Sequence, residues 1–556
     1  MAMIRWLAAS AALVSLSAPL HAQSLDALKA DATTPGDVLT YGMGYSNQRY
    51  SPLKQINTST VAKLAPAWSY SLNNPQGQES QPIIHDGVMY VTTHSATIAL
   101  NPITGKQIWK QDIELPQDVF KYACCGILNR GVAILDGKLY RVTLDAHVIA
   151  LDAKTGKQIW KTKAANYQDG QAMTSAPLIA GGVVMTGIAG GEYGTRGFVD
   201  GWDPLTGKQL WRFYTTAAPG EKGGDTWPGD TASKGGAPTW LTGIYDPDLD
   251  LVYWGTGNGG PWNPEVRKGD NLYVGSVIAF RPKTGEMVWH YQFSPNDPYD
   301  YDATEVGMLV DIKIDGQMRK VLAQANRNGF FYVLDRANGK LLAANPYVKV
   351  NWADKIDMAT GRPVESEVTK RIRAGSDETV WPSVLGGKNW TPMSWNPATG
   401  LAYANTLEMS WPYQIMKPEY KRGEWYLGMN MRGVNFPPKG TPNGHLSAID
   451  PMTGKSKWQM AWPGQPSMAG TLSTAGELVF TGAATGEFIA VNANTGKKLW
   501  EFQTSSGIIG LPVTWEQNGK QYVTIVVGAG GVWALLGDER MADTPAGGSV
   551  WTFALN

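Results

Sequence analysis

The segment KYACCGILNRG, residues 121–131, holds the only two cysteines among 556 residues, and Cys124 and Cys125 are adjacent. A CxxC spacing would point to a redox helix or half of a zinc site, and neighbouring thiols serve neither purpose easily. A disulfide between them would close a small ring across one peptide bond, with Cα atoms about 3.8 Å apart. Such a bridge constrains almost no chain and does little for stability. The spacing leaves two readings open: a pair of thiols without a special role, or a small ring used at a site. A second group lies in NDPYDYDATE, residues 296–305. In a locally extended segment Asp300 and Asp302 project to the same side, so both carboxylates can face one ion. Glu192 in GGEYGTRG and Asn258 in WGTGNGGPWNP offer further oxygen atoms. Oxygen donors suit a hard cation rather than zinc or copper, and none of the six histidines stands in a metal-ligand spacing. The other reading of Asp302 is a solvated carboxylate in an acidic turn.

The elements that must position these groups are short strands. One phrase recurs: LNPITGKQIWK from Leu100, LDAKTGKQIWK from Leu151, WDPLTGKQLWR from Trp202, FRPKTGEMVWH from Phe280, IDPMTGKSKWQ from Ile449 and VNANTGKKLWE from Val491. A degraded copy, LDRANGKLLAA from Leu334, has Ala343 where the others have tryptophan. A typical copy reads as an apolar strand end, an Asp or Asn, a turn whose Gly supplies positive φ, and a strand carrying Trp. Trp109, Trp160 and Trp211 are spaced 51 residues apart. A period of about 50 built from short strands indicates propeller blades, and the repeated Trp is expected to wedge between neighbouring blades. The strand-like segments APAWSYSL and GSVWTFALN could pair within one blade and close the ring. The fold expected is all-β, a propeller with tryptophan-docking repeats.

Composition agrees: 64 Gly, 34 Pro and 23 Trp, with recurrent turn pairs and no long amphipathic helical pattern. Residues 1–22 read as a secretory signal peptide, Arg5 preceding an apolar run and Ala22 the cleavage residue. Residues 23–556 are then one exported domain in an oxidising compartment, where a disulfide can persist. No later segment is long and apolar enough to span a bilayer. With 48 basic and 48 acidic residues there is no electrostatic footprint for nucleic acid.

Together the phrase, the twin cysteines and the oxygen-donor passages resemble the pyrroloquinoline quinone (PQQ)-dependent alcohol dehydrogenases, the methanol and ethanol dehydrogenase family, over essentially the whole mature chain. The repeat phrase by itself is weakly specific, because non-catalytic propellers of outer-membrane assembly factors carry it too. The resemblance implies an eight-bladed propeller around one PQQ, with Cys124 and Cys125 joined as a disulfide over one face of the quinone. Trp240, in KGGAPTWLTGIYD, matches the indole stacked on the other face; read without the family it is another blade-packing tryptophan. Glu79 in GQESQP, Arg130 in NRG, Thr174 in AMTSAP, Gly190 and Gly191, Asn389 in GGKNWTP and Trp533 in GAGGVW match further cofactor contacts. Glu192, Asn258 and Asp300 match the metal ligands, Asp300 being also the catalytic aspartate. Arg327, in ANRNGFFYVLD, matches the residue facing the quinone oxygens. Calcium-using members carry a small residue two positions after that aspartate, whereas lanthanide-using members carry Asp. Asp302 therefore implies a lanthanide, with calcium as the alternative.

The activity implied is oxidation of a small primary alcohol to an aldehyde in the periplasm. Asp300 is the expected general base, and a separate soluble cytochrome c is the expected electron acceptor, since no CxxCH motif for a haem is present. The rival from another class is a non-catalytic scaffold of an envelope complex. The alcohol and the oligomeric state, a homodimer being one candidate, are left open. Two motifs are set aside. GTGNGG, residues 255–260, satisfies GxGxxG, yet Pro261 and Pro264 oppose the helix that a dinucleotide site needs. DPDLD, residues 246–250, lacks the Gly and late Glu of a calcium loop and reads as a turn.

Overall fold

The structure, a computed structural model, describes residues 23–436, 438, 441–462, 465–532 and 543–556. The expected signal peptide, residues 1–22, and Trp533 lie outside them. Eight antiparallel sheets form the blades of a β-propeller. The first blade is Ile83–His85, Val88–Thr93, Ala96–Leu100 and Gln107–Asp112, running from innermost to outermost strand. The second and third strands of the first blade read as near-continuous apolar runs because neighbouring blades cover both faces, and VMYVTT and ATIAL are buried almost throughout. The outermost strand has one solvated face, so QIWKQD alternates between exposed and half-buried residues. Leu64–Ser71 pairs with Ser549–Leu555 from Leu64–Leu555 to Ser71–Ser549 and completes the eighth blade. Segments well apart in sequence thus close the ring, as the two strand-like stretches suggest. A further short strand, Tyr50–Ser51, joins the seventh blade in parallel with Leu472–Thr474.

The repeated phrase builds the blade boundaries. Asp152 Oδ1 accepts from the backbone N–H of Thr155 at 2.8 Å, and Gly156 N donates to Asp152 O at 2.8 Å, which closes the turn. The Trp of one blade then crosses to the turn of the next. Nε1 of Trp109, Trp160, Trp211 and Trp458 donates to the carbonyl of Ala153, Pro204, Pro282 and Ala493 at 3.0–3.2 Å. Trp68 and Trp500 make the same bond across the eighth blade, to Pro102 O and Leu64 O. Trp289 packs on Gly339 without that bond. At the degraded copy, where Ala343 replaces the Trp, Asn345 Nδ2 donates to Met452 O at 2.8 Å and bonds the fifth blade to the sixth.

The turn glycine is required twice over. Gly156 lies at φ +71°, and a Cβ there would come within 2.6 Å of the Trp109 indole. Gly156→Ala is expected to destabilise the protein by about 2–4 kcal/mol, combining left-handed backbone strain with overpacking. A urea unfolding midpoint unchanged from that of the parent chain would contradict it.

Two excursions leave the ring. Between the fifth and sixth blades lie the hairpin Ala353–Asp357 and Arg362–Glu365 and the helix Glu367–Arg373. Within the sixth blade, a connection between Leu401–Leu407 and Gly444–Ile449 reaches across the ring: Tyr426 N donates to Glu192 O, and Trp262 N to Leu427 O, each at 2.6 Å. DPDLD is the hairpin turn of the fourth blade, with Asp246 Oδ1 accepting from Asp248 N and Leu249 N.

Candidate functional site

The blade topology gathers the chemistry-bearing residues. Glu79, Arg130, Thr174, Trp240, Asp302 and Asn389 each precede, by a few residues, the innermost strand of one of the first six blades. Glu192, Asn258 and Arg327 follow the second strands Val183–Gly187, Leu251–Gly255 and Gln317–Ala325. In an antiparallel blade the start of the first strand and the end of the second share one end of the sheet. All of these residues therefore meet at one end of the propeller. A cavity opens there, lined by Glu79, Cys124, Cys125, Arg130, Thr174, Gly190, Glu192, Trp240, Asp300, Asp302, Arg327 and Asn389.

Cys124 and Cys125 are joined by a disulfide with Cα atoms 3.8 Å apart, so they form the small ring rather than two reduced thiols, and the ring lines the cavity. A Glu192 carboxylate oxygen lies within 4.8 Å of both sulfurs. Asp302 is not a solvated loop carboxylate either, being 2 % exposed. Its Oδ1 accepts from Asn258 N, and its Oδ2 accepts from Arg327 Nη1 at 2.7 Å and from Trp240 Nε1 at 2.9 Å. Trp240 therefore serves the cavity wall rather than a blade boundary. Arg327 Nη2 donates to Asp300 Oδ2 at 2.9 Å, and the guanidinium also bonds Val384 O. Asp300 itself stands at φ +63°.

The glycines of GTGNGG serve close approach. No long helix follows; the chain turns through Pro264–Val266, a single 3-10 turn. A Cβ on Gly257 would strike Asp302 Oδ1, and one on Gly191 would strike Asn258 Oδ1. Gly191 thus packs behind Asn258 instead of lining the cavity.

Around the rest of the wall, Arg130 pairs with Glu79 at 2.6 Å and donates to Thr174 Oγ1 at 2.7 Å. Its guanidinium lies 5.0 Å from the Trp240 ring and 4.9 Å from that of Trp390. Trp390 lines the cavity and went unnoticed in the sequence; its one signal is an aromatic beside Asn389 outside any repeat copy. Leu128, Ala172 and Val532 also line it, and single apolar residues in loops carry no signal.

Electrostatics mark the cluster as short of positive charge. Burial pushes the Glu192 carboxyl up to about 7, with the Asp302 charge adding to it. Burial likewise drives Asp300 well above the carboxylate range; Arg327 pulls it back, while Asp302 and Glu192 raise it further. Asp302 is raised by burial against Arg327 and its Trp240 hydrogen bond. Three carboxylates thus face one nearby guanidinium. Among the described residues, buried Oδ1 atoms of Asn258 and Asp300 have no hydrogen-bond partner. Orphaned buried oxygens in an oxygen-only donor set fit a hard cation, and a cavity walled by a disulfide and indoles fits a flat conjugated ring.

A family model described as the PQQ glucose/ethanol/alcohol dehydrogenase β-propeller domain matches residues 39–356 and 369–523. The chain belongs to the PQQ-dependent alcohol dehydrogenases. It is 44% identical over 532 residues to the quinohemoprotein alcohol dehydrogenase ADH IIB of Pseudomonas putida, covering 93% of this chain and 76% of that protein. It is 41% identical over 556 residues to the quinoprotein alcohol dehydrogenase PedH of Pseudomonas putida, covering 94% and 92%. Among solved structures, a europium-containing methanol dehydrogenase superposes with TM-score 0.91 at 36% identity, covering 95% of this chain and all of that one. No helix among the described residues is long and apolar enough to cross a membrane.

Proposed function

We propose that this PQQ-dependent alcohol dehydrogenase oxidises a small primary alcohol to an aldehyde in the cavity at the end of the propeller. The observation that carries this reading is the convergence of Glu192, Asp300 and Asp302 in the cavity walled by the Cys124–Cys125 ring, with the orphaned, buried Asn258 Oδ1 packed behind them against Gly191. Glu192, Asn258 and Asp300 would hold the cation, with Asp302 as an additional ligand. Glu79, Arg130, Thr174, Gly190 and Asn389 would hold the rim of PQQ, the disulfide and Trp240 would face its ring, and Trp533 is assigned to the same group; Gly191, packed against Asn258, would act by allowing that close approach. When bound, the quinone supplies the hydride-accepting carbon and the cation acts as the Lewis acid that activates it.

The chain's own residues perform the rest. Asp300 takes the hydroxyl proton at its carboxylate, and beside a cation it is held in the basic, ionised form. Arg327 fixes the Asp300 and Asp302 carboxylates and presents positive charge to oxygens that gain negative charge. Asp302 spends both acceptor sites of Oδ2 on Arg327 and Trp240 but only one of Oδ1, which leaves a lone pair for an ion. Three carboxylates match a trivalent ion better than a divalent one on charge, so the cation assigned is a lanthanide, calcium being the alternative. Residues 1–22 direct export to the periplasm, and electrons leave to a separate soluble cytochrome c.

Chelator-treated protein should regain dye-linked ethanol oxidation only when both PQQ and an ion are supplied, with La³⁺ supporting more activity than Ca²⁺. Activity without PQQ would defeat the cofactor assignment. Higher activity with Ca²⁺ would defeat the lanthanide assignment alone.

A further inference from the structure

Behind the acidic cluster, outside the cavity wall and the donor set, lie two buried charged groups to which none of the roles above applies. Arg267 is 0% exposed, and its guanidinium reaches into two loops. Nε donates to Pro261 O at 2.7 Å, Nη1 to Asn271 Oδ1 at 2.7 Å, and Nη2 to Asp297 O. Gly259 packs over it so closely that a Cβ there would come within 2.5 Å of Cζ. The guanidinium therefore braces the backbone on the C-terminal side of Asn258. Asp297, 1% exposed, acts on the other loop. Its carboxylate accepts from Tyr299 N at 3.1 Å and from Tyr301 N at 2.9 Å, the amides flanking Asp300. Asp300 is a non-glycine residue at φ +63°, a sparsely populated conformation that persists only where the surrounding structure imposes it.

We infer that Arg267 and Asp297 are positioning residues that fix the distance between the Asn258 loop and the Asp300 backbone, and thereby the affinity of the oxygen cluster for its cation. The inference rests on the cation site proposed above. Its sign separates it from plain electrostatics. Arg267 is a positive charge close to a cation site, so removing that charge should tighten cation binding if charge alone mattered. Positioning demands the reverse.

The test uses the full-length, PQQ-loaded protein stripped of metal by chelation, titrated with Eu³⁺ by luminescence and with Ca²⁺ by competition. Arg267→Met is expected to raise the dissociation constant by about 10–100-fold, the range seen when groups that orient metal ligands are removed. Arg267→Lys keeps the charge without the fork and should weaken binding by a smaller factor. Asp297→Asn keeps an acceptor for one of the two amides and should also weaken it. Arg141→Met is the control, because Arg141 is equally buried but bonds Thr97 Oγ1 and Thr93 O between blades. Its ion affinity should match that of the parent chain. Equal or tighter binding by Arg267→Met would overturn the inference, as would an equal loss in Arg141→Met. If Arg267→Met does not fold, unchanged affinity in both Arg267→Lys and Asp297→Asn would overturn it. A parent protein that takes up no ion would instead overturn the cation site itself.

Discussion

Asp300→Asn is expected to lower kcat for alcohol oxidation by about 10²–10⁴-fold, the range for loss of a positioned general base. The substitution is close to isosteric, and asparagine tolerates left-handed backbone better than most residues, so φ +63° at this position should persist. The amide oxygen can still accept from Arg327 Nη2, which now bonds Asp300 Oδ2 at 2.9 Å. What disappears is the ability to take a proton, together with one of three carboxylate charges at the ion. Because the second loss could empty the site, PQQ and metal content must be measured beside the rate. A variant that retains both components and turns over within a few-fold of the parent would remove Asp300 from the role of base.

The second large effect concerns the choice of ion. Asp302→Ala should reduce lanthanide-supported activity by about two orders of magnitude and leave calcium-supported activity within about tenfold, because ligand charge count sets ion preference. Alanine also deletes the acceptor for Arg327 at 2.7 Å, for Trp240 at 2.9 Å and for Asn258 N. Asp302→Asn separates these contributions in part, removing the charge while its single amide oxygen can still accept from Arg327 and Trp240 where Oδ2 now does, at the cost of the acceptor for Asn258 N. If both variants favour calcium, charge is the cause. If only alanine does, the geometry of Trp240 and Arg327 is the cause. Unchanged activity of Asp302→Ala with both ions would end the assignment of Asp302 as a ligand.

The blades were legible in the sequence because their information is local. An Asx acceptor, a left-handed Gly and a Trp recur in most copies of one eleven-residue phrase, and the Trp of each copy that keeps it reaches the next blade. Asn345 shows where that legibility stops. It bonds Met452 O across a boundary that has lost its Trp, and nothing in LDRANGKLLAA marks the asparagine that directly follows it. Rare residue types identified the site in the same way: two adjacent cysteines in the whole chain, and paired aspartates in one loop. Trp390, Leu128 and Val532 line the same cavity but are of types that fill cores everywhere. Arg267 and Asp297 were invisible for a different reason. In a polar loop they read as solvated charges, and only the fold reveals that they are buried and bonded to backbone.

The decisive measurement is anomalous diffraction at a europium edge from crystals of protein reconstituted with PQQ and Eu³⁺. One strong peak is expected within about 2.3–2.6 Å of oxygens from Glu192, Asn258 and Asp300, a range typical of hard cations, with planar density against the Cys124–Cys125 ring and Trp240. A cavity empty of both, or a peak only at a surface carboxylate such as Asp248, would contradict the site.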